Sequence, residues 1–596
     1  MSTYRAPLSD MRFVLFDVLG AEALFARLGF TDATRDIVDA VLDEGARFTE
    51  TMLAPLNRIG DEIGCRYDKA TGDVTTPPGF RQAYAQYVDG GWPGLVSPVE
   101  LGGQGLPHAA GVPLKEMIDA ANLAWGNFPL LSHGATEALL HHGEAWQQAA
   151  FLKPIVEGRW TGTMCLTEAH CGTDLGLLKT KAVPNVDGSY SISGTKIFIT
   201  AGEHDFTENI VHLVLARLPD APAGSKGISM FIVPKMRVGR DGVVGERNAV
   251  RCGALEHKMG IHGSATCVIN FDDAQGWLIG EPNKGLAAMF TMMNTARLAV
   301  GLQGLGLADR AWQNALRYSR DRLQMRSLSG AKFPDKPADP IIVHPDVRRM
   351  LLTQKALVEG GRLLGYHAAS LVDIVGHGSD AAERAQADAL LGFVTPIVKA
   401  CLTEWAVECT YHALQCFGGH GYIAEHGMEQ LARDTRITTL YEGTTGIQAL
   451  DLMGRKVLQQ QGAGLRVMLA MIDAFCTENA GNAAVVEFVA PLRAKASEWQ
   501  QLTMTIGQRA LANADEIGAA AYDYLFYSGY VALAYWWARS VAVAEASQQS
   551  AAFKDSKRET ARFYFARILP RTLMHKAAIE SGAGSLMTLE AAAFDA

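Results

Sequence analysis

The residue in this chain best placed to move a proton is a carboxylate lodged between an apolar stretch and a glycine. Glu442 follows Ile437–Tyr441 and precedes Gly443, Thr444 and Thr445, and the Thr pair is suited to cap a helix starting near Gly446. A carboxylate at such a junction can be aimed into a cleft and partly desolvated, which raises its pKa and makes it a competent base near neutral pH. The plainer role for the same residues is helix capping. Upstream, Gly418-Gly419-His420-Gly421 forms a glycine-rich turn at the far side of a short helical segment. A second group of candidates is Cys165-Leu166-Thr167-Glu-Ala-His-Cys-Gly172-Thr173-Asp174. Here small and hydroxyl residues let backbone N–H groups and the Thr167 and Thr173 hydroxyls approach a polar planar ligand, or satisfy their own turn. Arg297, in the apolar run MMNTARLAVGLQGLGLADR, needs an anionic partner if it is buried. Gly301, Gly304 and Gly306 in that run follow no strand, so close helix packing accounts for them better than a dinucleotide fingerprint.

The elements that must hold these residues fall into four stretches. Residues 1–159 are mostly helical, with apolar residues three and four apart in DIVDAVLDEGARFTETMLAPLNRI and a loop at residues 90–107, GGWPGLVSPVELGGQGLP. Residues 160–280 carry short alternating or β-branched runs (YSISGTKIFIT, NIVHLVLARL, GISMFIVPKM, ATCVINF) with turns at Asp187-Gly188 and Asp241-Gly242. They read as an antiparallel β domain. Helical periodicity resumes over residues 281–460, interrupted by the proline-rich loop SLSGAKFPDKPADPIIVHPD. After the link QQQGAG, residues 465–596 form a further helical domain.

Composition bounds the function. The 596 residues are too many for one core; 48% hydrophobic and 20% charged is the balance of an ordinary globular chain. A net charge of −9 argues against general nucleic-acid binding. The one basic cluster, Lys554, Lys557, Arg558, Arg562, Arg567, Arg571 and Lys576, reads as a solvated helix face. Nine scattered cysteines without a Cys-x-x-Cys pair indicate neither a disulfide framework nor a metal site, and fit reduced thiols in a cytoplasm. The opening residues, with Asp10 and Asp17, do not read as a secretory signal. The best membrane candidate, Tyr524–Ala538, is too short to span a bilayer and reads as a buried core helix.

Four ordered strings together resemble the acyl-CoA dehydrogenase family of flavoproteins: Cys165–Asp174, Gly194–Thr200 (GTKIFIT), Lys258–Ser264 (KMGIHGS) and Gln415–Gln448. The extra C-terminal section is similar to the long subgroup that includes 3-methylmercaptopropionyl-CoA dehydrogenases. The resemblance implies an α+β multidomain fold: an N-terminal helical domain, a middle β domain, a helical bundle and an extra helical domain. The cofactor it implies is FAD, contacted by Cys165, Leu166, Thr167, Gly172, Thr173, Phe198, Thr200 and Thr444. Arg322, Gln415, Gly418 and Gly419 would reach a neighbouring subunit's FAD. Thr173, Asn294, Arg297 and Gly443 would line the acyl-CoA site. Several positions depart from the family's usual residues: Ala169 stands for Pro, Cys171 for Ala, Phe198 for a frequent Trp and Asn294 for an Asp.

By the same resemblance Glu442 is the base that removes the α-proton. Its own backbone N–H and a flavin hydroxyl would polarise the thioester carbonyl, worth about 3 to 4 kcal/mol per donor. The alternative base position, one residue before Arg297, is Ala296 here. The implied activity is FAD-dependent α,β-dehydrogenation of acyl-CoA to trans-2-enoyl-CoA in fatty-acid β-oxidation, with an electron-transfer flavoprotein as acceptor and a homodimer as the assembly. The alternatives are 3-methylmercaptopropionyl-CoA dehydrogenation, an acyl-CoA oxidase using O₂, and a DNA-associated flavoprotein of the same fold.

Overall fold

The computed structural model describes residues 3–596. Its contacts divide the chain into two compact units: Met1–Ala46, Pro107–Ala120 and Val300–Ala596 form one, and Arg47–Leu106 with Ala121–Ala299 form the other.

The second unit is organised by a seven-stranded sheet. Trp160–Cys165, Asn209–Ala216, Ser229–Pro234, Thr266–Ile279, Tyr190–Thr200 and Lys181–Pro184 lie side by side in that order, and Val250–Leu255 also pairs with Thr266–Ile279. The ladders are antiparallel except one: Trp160–Cys165 runs parallel to Asn209–Ala216. Between those two strands the chain first builds Lys181–Pro184 and Tyr190–Thr200 at the opposite end of the sheet, a detour long enough for the crossover a parallel pair requires. Asn209–Ala216 and Ser229–Pro234 are buried along their whole length, so their sequences are apolar on both faces apart from Asn209, His212 and Ser229. Phe151, Leu152 and Ile155 of the helix Ala145–Val156 join Trp160, Leu213, Ile232 and Trp277 of the sheet in one core. A hairpin of Arg66–Tyr67 with Val74–Thr75 interrupts the helical N-terminal stretch, closed where Asp68 accepts from Ala70 N at 2.8 Å and Gly72 is left-handed.

The first unit is a helical assembly around Pro345–His377, Ala381–Phe417 and Asp515–Ala546. Small residues permit the close crossings. A Cβ on Gly304 would lie 2.8 Å from the Leu402 carbonyl, and one on Gly306 2.7 Å from that of Glu116, so these glycines are packing residues, as their helical setting predicts. Tyr524–Ala538 is buried throughout and lies inside Asp515–Ala546, whose Trp537 indole donates to the Ala356 carbonyl at 3.0 Å. Among the described residues one helix is long and apolar enough to cross a membrane, Ala381–Tyr422, and 78% of its apolar window is buried in the protein.

The basic cluster of the C-terminal section is a partly solvated face laced with ion pairs, with one lysine turned into the core. Lys557 is 2% exposed and bonds Asp10 and, at 2.7 Å, Glu359. Arg571 forks onto Glu408 at 2.6 and 2.7 Å, Arg562 pairs with Glu487 and Glu559, Arg558 with Glu545 and Asp555, and Lys576 with Glu498. Asp555, Glu559 and Glu545 are local partners, but Asp10, Glu359, Glu408, Glu487 and Glu498 are far away in sequence and invisible to a local charge count. Beside Lys557, the buried Arg362 engages Glu116, Asp10 and Asp309, and Tyr366 donates to Glu116 at 2.7 Å. The N-terminal segment, the bundle and the C-terminal section thus share one buried ionic network. Lys557→Met is expected to leave Asp10 and Glu359 without their shared cation and to cost about 3 to 5 kcal/mol. Thermal melting checks this, with Glu559→Ala, on the exposed side of the same helix, expected within about 0.5 kcal/mol of the parent.

Candidate active site

In the sheet-containing unit, the segment after Trp160–Cys165 lies against the strand Tyr190–Thr200. Thr167 accepts from Ile197 N through its carbonyl at 2.9 Å, and the Lys196 ammonium donates to the Leu166 carbonyl at 2.9 Å. Cys165, Leu166 and Thr167 are thereby brought beside Phe198 and Thr200. Phe198 has φ +59° and is 59% exposed, and Ala201 follows at φ +52°. A bulky aromatic that is both left-handed and open to solvent carries strain and apolar exposure together, the combination expected where a ligand completes the packing. Gly172 and Thr173 are exposed on the same segment. Cys165 and Leu166 are buried there, so they contribute backbone and walls rather than side-chain chemistry, and burial pushes the Cys165 thiol up to about 12.

Two residues to which the sequence analysis gives no role hold this segment. Lys196, fully buried, bonds Glu168 at 2.9 Å, and Glu168 also accepts from Lys179 N (2.8 Å), Thr180 N (3.0 Å) and the Thr180 hydroxyl (2.6 Å). Burial alone would raise the Glu168 carboxyl, but the Lys196 charge and these hydrogen bonds outweigh it and bring it down to about 2. The signal available in sequence was a lysine at an inward position of an alternating strand. Ligand atoms of Glu168, His170 and Cys171 lie within 4.8 Å of one another, a metal-like spacing, yet the Glu168 oxygens are already engaged by these donors. Burial, with the Glu168 charge, raises the Cys171 thiol, which makes it a poor nucleophile. Arg297 is buried with its guanidinium 6.0 Å from the Phe290 ring, whereas Asn294 is exposed one turn earlier.

In the helical unit, Glu442 has φ +56° and Gly443 φ +91°, two successive left-handed residues between the turn Ile437–Thr439 and the helix Thr445–Leu450. Thr444 is the N-cap, accepting from Ile447 N at 3.4 Å, as the Thr pair predicts; Thr445 donates instead to Glu404 at 2.5 Å. The Gln448 amide donates to the Glu442 carbonyl at 2.9 Å, and the buried Lys399 ammonium donates to the Gly443 carbonyl at 2.7 Å. Tyr441 donates to Gln303. A Cβ on Gly443 would lie 2.6 Å from the Gln448 amide nitrogen, so this position requires glycine for space as well as for φ.

Elsewhere in the helical unit, the helix Ala381–Phe417 ends at Gly418, with φ +59°, and a Cβ on Gly418 or Gly419 would meet nothing within 4 Å. Tyr318 stacks on Phe417 at 4.1 Å and bonds His420 at 2.8 Å, so Arg322, one turn after Tyr318, shares this end with Gln415 and the glycine turn. Arg322 and Gln415 are exposed there.

Three family models match consecutive stretches: acyl-CoA dehydrogenase middle domain at residues 163–274, acyl-CoA dehydrogenase C-terminal domain at 283–458, and acetyl-CoA dehydrogenase C-terminal like at 468–590. The chain is 42% identical to 3-methylmercaptopropionyl-CoA dehydrogenase of Ruegeria pomeroyi over 98% of its own length and 99% of that protein. It is 34% identical to the broad-specificity linear acyl-CoA dehydrogenase FadE5 of Mycobacterium tuberculosis, with both chains fully covered. In fold it is similar to Caenorhabditis elegans ACDH-11 solved with C11-CoA (TM-score 0.77, 18% identity, 99% of this chain and 96% of that one). It is likewise similar to an acyl-CoA dehydrogenase of Bacillus anthracis complexed with FAD (TM-score 0.74, 19% identity, 92% and 89% covered). An aromatic ring presented beside hydroxyls and close-approaching backbone suits a flavin ring. The chain belongs to the acyl-CoA dehydrogenase family of FAD-dependent oxidoreductases, among the members that carry an additional C-terminal helical region.

Proposed function

We propose that the enzyme dehydrogenates a short acyl-CoA thioester between its α and β carbons, with Glu442 as the base. The observation that carries this reading is the conformation of Glu442: a non-glycine residue kept left-handed, its carbonyl tied by Gln448 and the next one by Lys399. Such strain persists where the surrounding structure demands one side-chain direction. When bound, FAD supplies the acceptor for the β-hydrogen, which no side chain provides. Cys165, Leu166, Thr167, Gly172, Thr173, Phe198, Thr200 and Thr444 are the residues that would hold it, with Arg322, Gln415, Gly418 and Gly419 serving a second subunit's FAD. Thr173, Asn294, Arg297 and Gly443 would contact acyl-CoA. The Glu442 carboxylate takes the α-proton and its backbone N–H donates to the thioester carbonyl, where negative charge develops.

The identity to the Ruegeria protein across nearly its whole length favours 3-methylmercaptopropionyl-CoA as substrate, and the Mycobacterium relative makes linear acyl-CoA esters of fatty-acid β-oxidation the second reading. Turnover of a graded acyl-CoA panel with a dye acceptor separates them. The first reading expects kcat/KM for the methylthio substrate about tenfold above that for hexanoyl-CoA or longer esters, a difference that pocket fit of a methylene or two supplies. Failure of every acyl-CoA to bleach the bound flavin would remove both readings. The electron acceptor is an electron-transfer flavoprotein rather than O₂, so aerobic turnover without a dye should be negligible. A DNA-associated role finds little support, since most of the C-terminal basic residues are paired with carboxylates. The nine cysteines are free, which supports a cytoplasmic enzyme. The packing of Asp515–Ala546 on the bundle helices supports a homodimer, and a tetrameric mass in solution would reject it.

A further inference from the structure

A lysine inside a helical bundle asks for a reason. Lys399 lies midway along Ala381–Phe417, fully buried, in the apolar stretch GFVTPIVKACL. Desolvating an ammonium is expensive, and a methionine fills the same volume without that penalty. The ammonium donates to the Gly443 carbonyl at 2.7 Å. One residue earlier the Glu442 carbonyl accepts from Gln448 at 2.9 Å. Gln448 is itself fully buried, and its Oε1 has no hydrogen-bond partner, so the amide faces the Glu442 carbonyl with its NH₂ at the cost of its own oxygen.

Two donors thus hold two consecutive carbonyls, and those carbonyls belong to the two left-handed residues of the turn. A left-handed Glu relaxes readily toward the right-handed or extended regions by rotating its flanking peptides, which swings the side chain away. Rotating either peptide breaks a bond to a buried donor. We propose that Lys399 is a positioning residue for Glu442, with Gln448 as its counterpart: the buried ammonium pins the Gly443 peptide so that the Glu442 carboxylate keeps one direction. Lys399 acts through the backbone and does not touch the reacting atoms. This inference rests on Glu442 being the base.

The test uses the FAD-loaded full chain and two readouts. One is steady-state turnover; the other is exchange of the α-hydrogens of an acyl-CoA lacking β-hydrogens into D₂O, followed by NMR, which reports proton removal without hydride transfer. Lys399→Met is expected to lower kcat and the exchange rate about 10²-fold, the penalty of misplacing a catalytic group by about 1 Å, with KM within about threefold and FAD content unchanged. In a Glu442→Gln background the same substitution should add no further loss, because both act on one step. A folded Lys399→Met with parent-like kcat and exchange overturns the inference, as does an additive loss in the double variant. If Lys399→Met does not fold, Gln448→Met, which removes the second donor, decides by the same thresholds. Should Glu442→Gln itself exchange α-hydrogens at the parent rate, the base assignment fails, and the two failures are told apart.

Discussion

Glu442→Gln is expected to lose about 10³-fold in turnover and at least as much in α-hydrogen exchange, while retaining FAD and its melting temperature. The size follows from removing a general base, whose contribution is about 10² to 10⁴-fold. The substitution is nearly isosteric, and the Gln448 and Lys399 bonds run to the Glu442 and Gly443 carbonyls, which it leaves in place. The backbone N–H remains as a donor to the thioester carbonyl, so substrate affinity should fall little and the loss should appear in kcat. Glu442→Asp keeps the charge but retracts it by a methylene; an intermediate loss of about 10²-fold is expected from geometry alone. Activity within threefold of the parent in the Gln variant would remove Glu442 from the mechanism.

Breaking the Lys196–Glu168 pair from either side should destabilise the sheet-containing unit by about 3 to 5 kcal/mol, since each substitution strands a buried charge. Lys196→Met removes the donor to Leu166 O as well, so the Cys165–Asp174 segment loses its tie to the strand bearing Phe198. FAD affinity is expected to drop about tenfold or more, measured by flavin fluorescence on dilution. Glu168→Gln keeps acceptor and donor capacity but not the charge, and should be the milder of the two for FAD.

The pH dependence has a definite sign. The Glu168 carboxyl sits at about 2 in the folded protein against 4.5 ordinarily, so its contribution is complete above about pH 4.5 and fades as pH falls toward 2. In Lys196→Met the lowering that the cation supplies is lost while burial still acts, so the carboxyl rises and acid-induced FAD release should move to higher pH. A release midpoint unchanged by Lys196→Met would refute the account of this pair.

The chemistry-bearing strings were legible because they are local. The helix cap at Thr444, the β region from Trp160 and the packing glycines of the run after Arg297 depend on residues within a few positions, and all are found in the structure. What was not legible is long-range. The parallel strand pair arises from a detour across the sheet, and Lys557 is paired with Asp10 and Glu359, far away in the chain. Lys399 and Lys196 carry no local sign of their roles, and only their partners show why burial is tolerated.

Composition, motif order and period were enough to determine the family and the succession of helical and β regions and to single out a candidate base, because these follow from residue types over short windows. Only the tertiary structure decided how that candidate is held. The left-handed conformation at Glu442 and Gly443 depends on a lysine from another helix and on an amide one turn ahead, and the segment beside Phe198 depends on a buried ion pair. Hydrogen bonds between distant residues leave no periodicity in a chain; they exist once burial has removed the water that would otherwise compete for both partners.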